Sequence, residues 1–305
     1  MSCLKLDIVS GKNVRKAVIP AAGFGTMMFP ASKAVKRELF PIITSDGIAK
    51  PIILLIIEEA LNAGIEEICL IVQKGDERFF DEFFNSPIPP IHYHKLPQQF
   101  KEFNSYLQEI GSRVSFIPQE TQEGFGHAVY SARDWVGDEP FLLMLGDHLY
   151  ASDSDVPCAR QILDVYQARQ MSVVGLKRTP EDLISNFGTI AGQWIDEGDV
   201  LNITELAEKP AIDYARTNLR VDGLEADEYL TIFGQYVLKP HIFDLLEDAI
   251  RNNLRERGEF QLTSALDRLR QEEGFLGYIT RGRRFDIGAP EAYLETFKSF
   301  AKIRA

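Results

Sequence analysis

The stretch KAVIPAAGFGT, residues 16–26, decides how the rest of the chain is read. Its first seven residues, KAVIPAA, form an apolar run without polar alternation, the pattern of a strand buried in a sheet. Gly23-Phe24-Gly25-Thr26 then follows at the carboxyl end of that strand. In an open α/β sheet this is where ligands bind, and two glycines let backbone N–H groups approach a phosphate closely. Neither familiar phosphate motif is completed. Met28 stands where the dinucleotide fingerprint needs its third glycine, and the lysine-bearing Walker pattern is absent. Taken alone, the loop leaves a nucleotide site and a plain strand-to-loop turn both open.

Working outward, short β-branched runs alternate with helical patterns. Residues 66–73, 113–119 and 140–150 read as strands, and 51–64, 76–85 and 126–137 as helices, the first ending at Gly64 and the last at Gly137. That rhythm implies parallel pairing through right-handed crossovers. Strand-like runs at 171–178, 187–194, 200–210 and 230–238 lie closer together and suggest antiparallel pairs. The expectation is an α/β protein with a mixed, mostly parallel central sheet flanked by helices. We read 1–305 as a single domain, with insertions near 85–111 and 211–229 and a C-terminal helical segment at 290–305.

The composition narrows the function. The net charge of −12 argues against nucleic acid as a partner. Residues 1–40 nevertheless carry seven Lys/Arg against Asp7 and Glu38, or +5, leaving −17 for the remainder. A basic segment on an acidic body can focus a small anionic ligand. The longest apolar run, PIILLII (51–57), is too short to span a bilayer, and the N-terminus lacks a secretory h-region, so no membrane association and a cytoplasmic location are expected. Cys3, Cys69 and Cys158 have neither metal-ligand nor disulfide spacing, which suits a reducing compartment.

Two aspartates stand out. Asp147 follows the run 140–146, and Asp286 lies in RRFDIGAP, a strand leading through a turn to a helix. Carboxylates at strand ends are placed to hold a divalent metal against phosphate oxygens if the two ends meet; otherwise each is a turn or capping residue. Glu208-Lys209-Pro210 offers a carboxylate for hydroxyls and an ammonium for phosphate, or else a solvated turn.

These pieces occur in the order found in the sugar nucleotidyltransferases, and the chain most resembles the bacterial UTP–glucose-1-phosphate uridylyltransferase (UDP-glucose pyrophosphorylase) family. The resemblance is carried by KAVIPAAGFGT, FPASKAVKRELFP, EEALNAGIEEICLIVQ, QETQEGFGHAVYSARDWVGDEPFLLMLGD, NFGTI, EKP, FGQYVL, GEFQLTSAL and FDIGAPEAYLETF. It implies a Rossmann-like nucleotidyltransferase fold. It further implies that Ala21, Ala22, Gly23, Gly25 and Thr26 hold the base and phosphates of UTP, and that Gln119 and Gly124 read the uracil edge. By the same resemblance Asp147 and Asp286 hold Mg²⁺, Gly188, Glu208 and Lys209 bind glucose 1-phosphate, and Arg37, Lys209 and Asp147 are catalytic. The products would be UDP-glucose and pyrophosphate, and a homo-oligomer is expected. Because uracil and thymine share the edge that Gln119 would read, dTTP stands beside UTP. Two positions depart from the family pattern: Met27 replaces the arginine of G-x-G-T-R, and Arg37 replaces a lysine. These departures keep a second reading open, a catalytically impaired nucleotide-sugar binding protein with a regulatory or partner-subunit role.

Overall fold

The computed structural model describes residues 13–195 and 198–303; Cys3, Lys5, Asp7 and Lys12 lie outside them. In chain order the strands are β1 (Lys16–Ala21), β2 (Pro41–Ile43), β3 (Ala49–Pro51), β4 (Glu67–Gln73), β5 (Val114–Gln119), β6 (Phe141–Met144), β7 (His148–Ser152), β8 (Val173–Pro180), β9 (Thr189–Trp194), β10 (Val200–Ala207), β11 (Glu228–Leu238), β12 (Leu276–Ile279) and β13 (Gly282–Asp286). Nine of them form one sheet in the order β5-β4-β1-β6-β11-β8-β12-β10-β9. β1 pairs in parallel with β4 and β6, and β4 with β5. β11 runs antiparallel to β6 and β8, and β10 antiparallel to β9 and β12. The sheet is therefore mixed, with its parallel pairing concentrated in the first half.

β1 has no exposure from Ala17 to Ile19 because strands flank it and helices cover both faces. The two-residue period of a strand divides its side chains between two cores. Ala17 and Ile19 join Leu70 and the helices Ile52–Asn62 and Cys158–Arg169 on one face. Val18 joins Cys69, Ile71 and the helices His241–Arg251 and Leu262–Glu273 on the other. Such burial on both sides is what an unbroken apolar strand requires.

The run 140–150 is not one strand. It breaks after Met144, and β7 leaves the sheet to form an antiparallel ribbon with β13. Gly146 lies at the break, where a Cβ would stand 2.3 Å from the Pro20 carbonyl oxygen, so only glycine lets the chain pass this close to the end of β1. The stretch 126–137 is likewise divided into the helices Phe125–Tyr130 and Arg133–Val136. The segment 85–111 contains the helices Pro90–Tyr93 and Gln98–Gly111, the segment 211–229 contains the helix Ile212–Asn218, and the chain's last described helix is Pro290–Phe300. Among the described residues no helix is long and apolar enough to cross a membrane.

Candidate active site

A cavity of about 680 Å³ opens at the carboxyl ends of β1, β5 and β6. Eleven of the residues singled out in the sequence line it: Ala22, Gly23, Thr26, Arg37, Gln119, Gly124, Asp147, Gly188, Glu208, Lys209 and Asp286. Ala21 and Gly25 do not. Ala21 is the buried last residue of β1. Gly25, at φ 70°, is the hinge behind the loop, where a Cβ would lie 3.4 Å from the Arg37 Cβ and 3.5 Å from the Ser32 Cβ. Left-handed backbone and that close approach make glycine the fitting residue there.

The loop is braced from two sides. Gln122 Nε2 donates to the Ala22 carbonyl at 2.5 Å, tying the loop to the segment after β5. Gln119, 4 % exposed at the end of β5, donates through Nε2 to the Gly124 carbonyl (3.3 Å) and lies 3.0 Å from His127 Nδ1. Gly124 has φ 112°, and a Cβ on it would meet the Phe260 carbonyl oxygen at 2.8 Å. The Gln119 side of the cavity is thus shaped by backbone packing against residues 259–260.

The two aspartates meet as the β7–β13 ribbon dictates, since Asp286 pairs in register with His148, next to Asp147. A Cβ built on Gly288 would stand 3.0 Å from Asp286 Oδ1 and 3.9 Å from Asp147 Oδ2, so a single glycine separates the carboxylates. Gly288 N donates to Asp286 Oδ1 at 2.6 Å. Burial alone would raise the pKa of Asp147. His148, whose Nδ1 lies 2.8 Å from Oδ1, and Arg37, whose Nη2 lies 3.4 Å from Oδ2, outweigh it and hold the carboxyl well below the usual carboxylate range.

Arg37 is itself fixed from behind. Its Nη2 donates to Glu38 Oε1 at 3.1 Å, and Glu38 has no exposed surface, so burial pushes its carboxyl up. The guanidinium stands between the glycine loop and the aspartate pair, 3.7 Å from a Cβ built on Gly23 and the same from one built on Gly288. Across the cavity, Glu208 accepts from Thr263 Oγ1 at 2.9 Å. Lys209 adopts φ 46° and donates its N–H to the Phe187 carbonyl at 3.2 Å, which turns this pair toward the cavity rather than leaving a solvated turn. Met27, by contrast, is 66 % exposed and does not line the cavity.

Polar lining residues to which sequence reasoning gave no role include Gln122, His148, Thr263 and Arg284. The signal for Arg284 was available, because in a strand ending at Asp286 the residue two before it shares its face.

The chain was compared with known proteins. The nucleotidyl transferase family model matches residues 16–303. The UTP–glucose-1-phosphate uridylyltransferase of Staphylococcus epidermidis is 33% identical over 291 residues, covering 95% of this chain and 93% of that protein. The enzyme of the same name from Bacillus subtilis is 34% identical over 295 residues, covering 95% and 92%. Among solved structures, a UDP-glucose pyrophosphorylase complexed with UDP-glucose superposes with a TM-score of 0.78 at 27% identity, over 95% of this chain and 100% of that one. The UTP-bound UGPase of Acinetobacter baumannii gives 0.74 at 26% identity, over 94% and 93%.

Proposed function

The chain belongs to the nucleotidyl transferase family, and on that premise we propose that it transfers the uridylyl group of UTP to glucose 1-phosphate, giving UDP-glucose and pyrophosphate. The observation that carries this reading is the single cavity that joins the glycine loop, the aspartate pair and Glu208-Lys209. A phosphate oxygen of glucose 1-phosphate attacks the α-phosphorus of UTP, and the bond from that phosphorus to the bridging oxygen breaks as pyrophosphate leaves. Little covalent work falls to the protein, so positioning and charge neutralisation supply the rate.

Ala22, Gly23 and Thr26 take the nucleotide phosphates, and Gln119 reads the base. Its Oε1 has no protein partner among the described residues, which leaves an acceptor for the N3–H common to uracil and thymine. Glu208 takes sugar hydroxyls and Lys209 the sugar phosphate. Arg37 sits where charge builds on the nucleotide phosphates. Asp147 and Asp286 fit Mg²⁺, because two hard carboxylates either side of Gly288 are the one or two protein ligands this ion takes beside substrate phosphates. When bound, the ion supplies charge neutralisation at those phosphates.

Incubating the protein with UTP, glucose 1-phosphate and Mg²⁺ should release pyrophosphate, and Asp147→Asn should abolish the release. A second reading, a nucleotide-sugar binder with impaired catalysis, has Met27 in its favour, since an exposed thioether contributes no charge. Calorimetric binding of UDP-glucose without any turnover would establish it in place of the first.

A further inference from the structure

Arg283 and Arg284 are adjacent on β13, and strand alternation sends them to opposite faces. Arg283 is exposed, with Nε 3.7 Å from Asp153 Oδ1. Arg284 points inward, and its surroundings are unusual for an arginine. Its guanidinium lies over the Phe187 ring, 4.0 Å from the centroid, and Nη1 donates to the Ile232 carbonyl. That carbonyl lies where the pairing of β11 with β8 shifts register, between Ile232 and Tyr236. Among the described residues the guanidinium forms no ion pair within 4.0 Å, and Asp286 and Asp147 act on it only from farther off. In a chain with 45 acidic residues that is not for want of partners.

A guanidinium enclosed without a contacting counter-charge is costly unless an anion completes it. Arg284 lines the same cavity as Asp286, two residues on, and as Gly188, Glu208 and Lys209. Stacking on Phe187 and the bond to Ile232 lock the planar fork in place, and its remaining N–H groups are left for a ligand. A fork fixed in this way suits two oxygens of one phosphate better than the point charge of a lysine.

We propose that Arg284 is a ligand of the phosphate contributed by the sugar phosphate, acting with Lys209, and is a specificity-determining residue for that substrate. The inference rests on the uridylyl-transfer reading above. It assigns the second half of the phosphate-binding charge to β13, and it accounts for a half-buried cation that no ion pair satisfies.

UMP and UDP-glucose separate this role from a structural one without requiring turnover. UMP carries only the base, ribose and α-phosphate, whereas UDP-glucose adds the phosphate and sugar that come from glucose 1-phosphate. Calorimetry on the full chain with Mg²⁺ should show Arg284→Met weakening UDP-glucose by at least ~10-fold, with UMP affinity within about twofold of the parent and Arg284→Lys in between. Where turnover is measurable, the KM for glucose 1-phosphate should rise while that for UTP holds. Equal affinity of parent and Arg284→Met for UDP-glucose would overturn the assignment, as would a matching loss for both ligands. If Arg284→Met does not fold, Arg284→Gln, which retains a donor for the Ile232 carbonyl, is read by the same two outcomes. Should the parent itself bind neither UMP nor UDP-glucose, the uridylyl reading falls and this inference with it. Parent binding of both, with an indifferent variant, removes this inference alone.

Discussion

Met27 and Arg37 are the two residues at which the loop departs from the family it resembles, and the structure treats them differently. Met27 is exposed in the short 3₁₀ turn Thr26–Met28, while its neighbour Met28 is buried in the core. Arg37 is enclosed between the glycine loop and Asp147, with Glu38 behind it. The charge lost at 27 is therefore not restored at 27, and Arg37 is committed to a fixed place. Placing an arginine at 27 restores a cation next in sequence to Thr26, which lines the cavity. One preorganised contact to developing charge is worth roughly 10²–10³ in rate, so Met27→Arg should raise kcat by at least ~10-fold in the pyrophosphate-release assay. Because the position is exposed, thermal stability should move by no more than about 0.5 kcal/mol. An unchanged kcat would mean that position 27 does not face the triphosphate. Both departures were legible in the sequence, since the pattern of the family it resembles marks them. Arg37's contact with Asp147 was not, because it joins residues 110 positions apart.

At the scale of elements, the apolar runs located the parallel strands well, because burial on both faces leaves an unmistakable composition. Where the chain obeys a local steric limit instead, composition was silent. The break between β6 and β7 falls at one glycine pressed against β1, and the helix Cys158–Arg169 has a polar, short-patterned sequence. That helix also shows how elements depend on each other. Pro157 gives its N-terminus no side-chain cap, and Glu59 of the helix Ile52–Asn62 accepts from the Ala159 N–H at 2.8 Å instead. Gln235 Nε2 of β11 donates to the same Oε1 at 3.3 Å, while Gln235 Oε1 has no partner. Burial raises the pKa of Glu59 despite these donors. A carboxyl whose pKa is raised on folding adds stability below its unfolded value, and that stability is lost as pH climbs through the folded value. Glu59→Gln keeps an acceptor for Ala159 and brings a donor toward Gln235 Oε1. Its Tm should exceed the parent's at pH 8, and the gap should narrow toward pH 4. A gap that widens on acidification would contradict the assignment of the proton.

At the scale of the whole molecule, the site is assembled from both ends of the chain. Arg37 comes early and Asp286 late, and the last described helix, Pro290–Phe300, joins their surroundings. Tyr293 packs edge-on against Phe40 at 5.8 Å and donates its hydroxyl to the Pro41 carbonyl at 2.7 Å, just beyond the Arg37–Leu39 turn. Thr296 Oγ1 donates to the Asp286 carbonyl at 2.9 Å, and Phe300 meets Phe285 at 5.7 Å. The helix is thus a clasp between an arginine and an aspartate that line the same cavity, a role that no single stretch of sequence reveals. Tyr293→Phe removes only the hydroxyl bond and should cost about 1 kcal/mol in urea unfolding. Tyr293→Ala also removes the half-buried ring and should cost about 2–3 kcal/mol, below the range for a fully buried aromatic. If the clasp sets the site's geometry, Tyr293→Ala should lose at least ~10-fold in kcat at temperatures where its circular dichroism is still native, while Tyr293→Phe keeps most of its activity. A loss of rate that tracks the fraction unfolded, and nothing more, would reduce the helix to a contributor to stability alone.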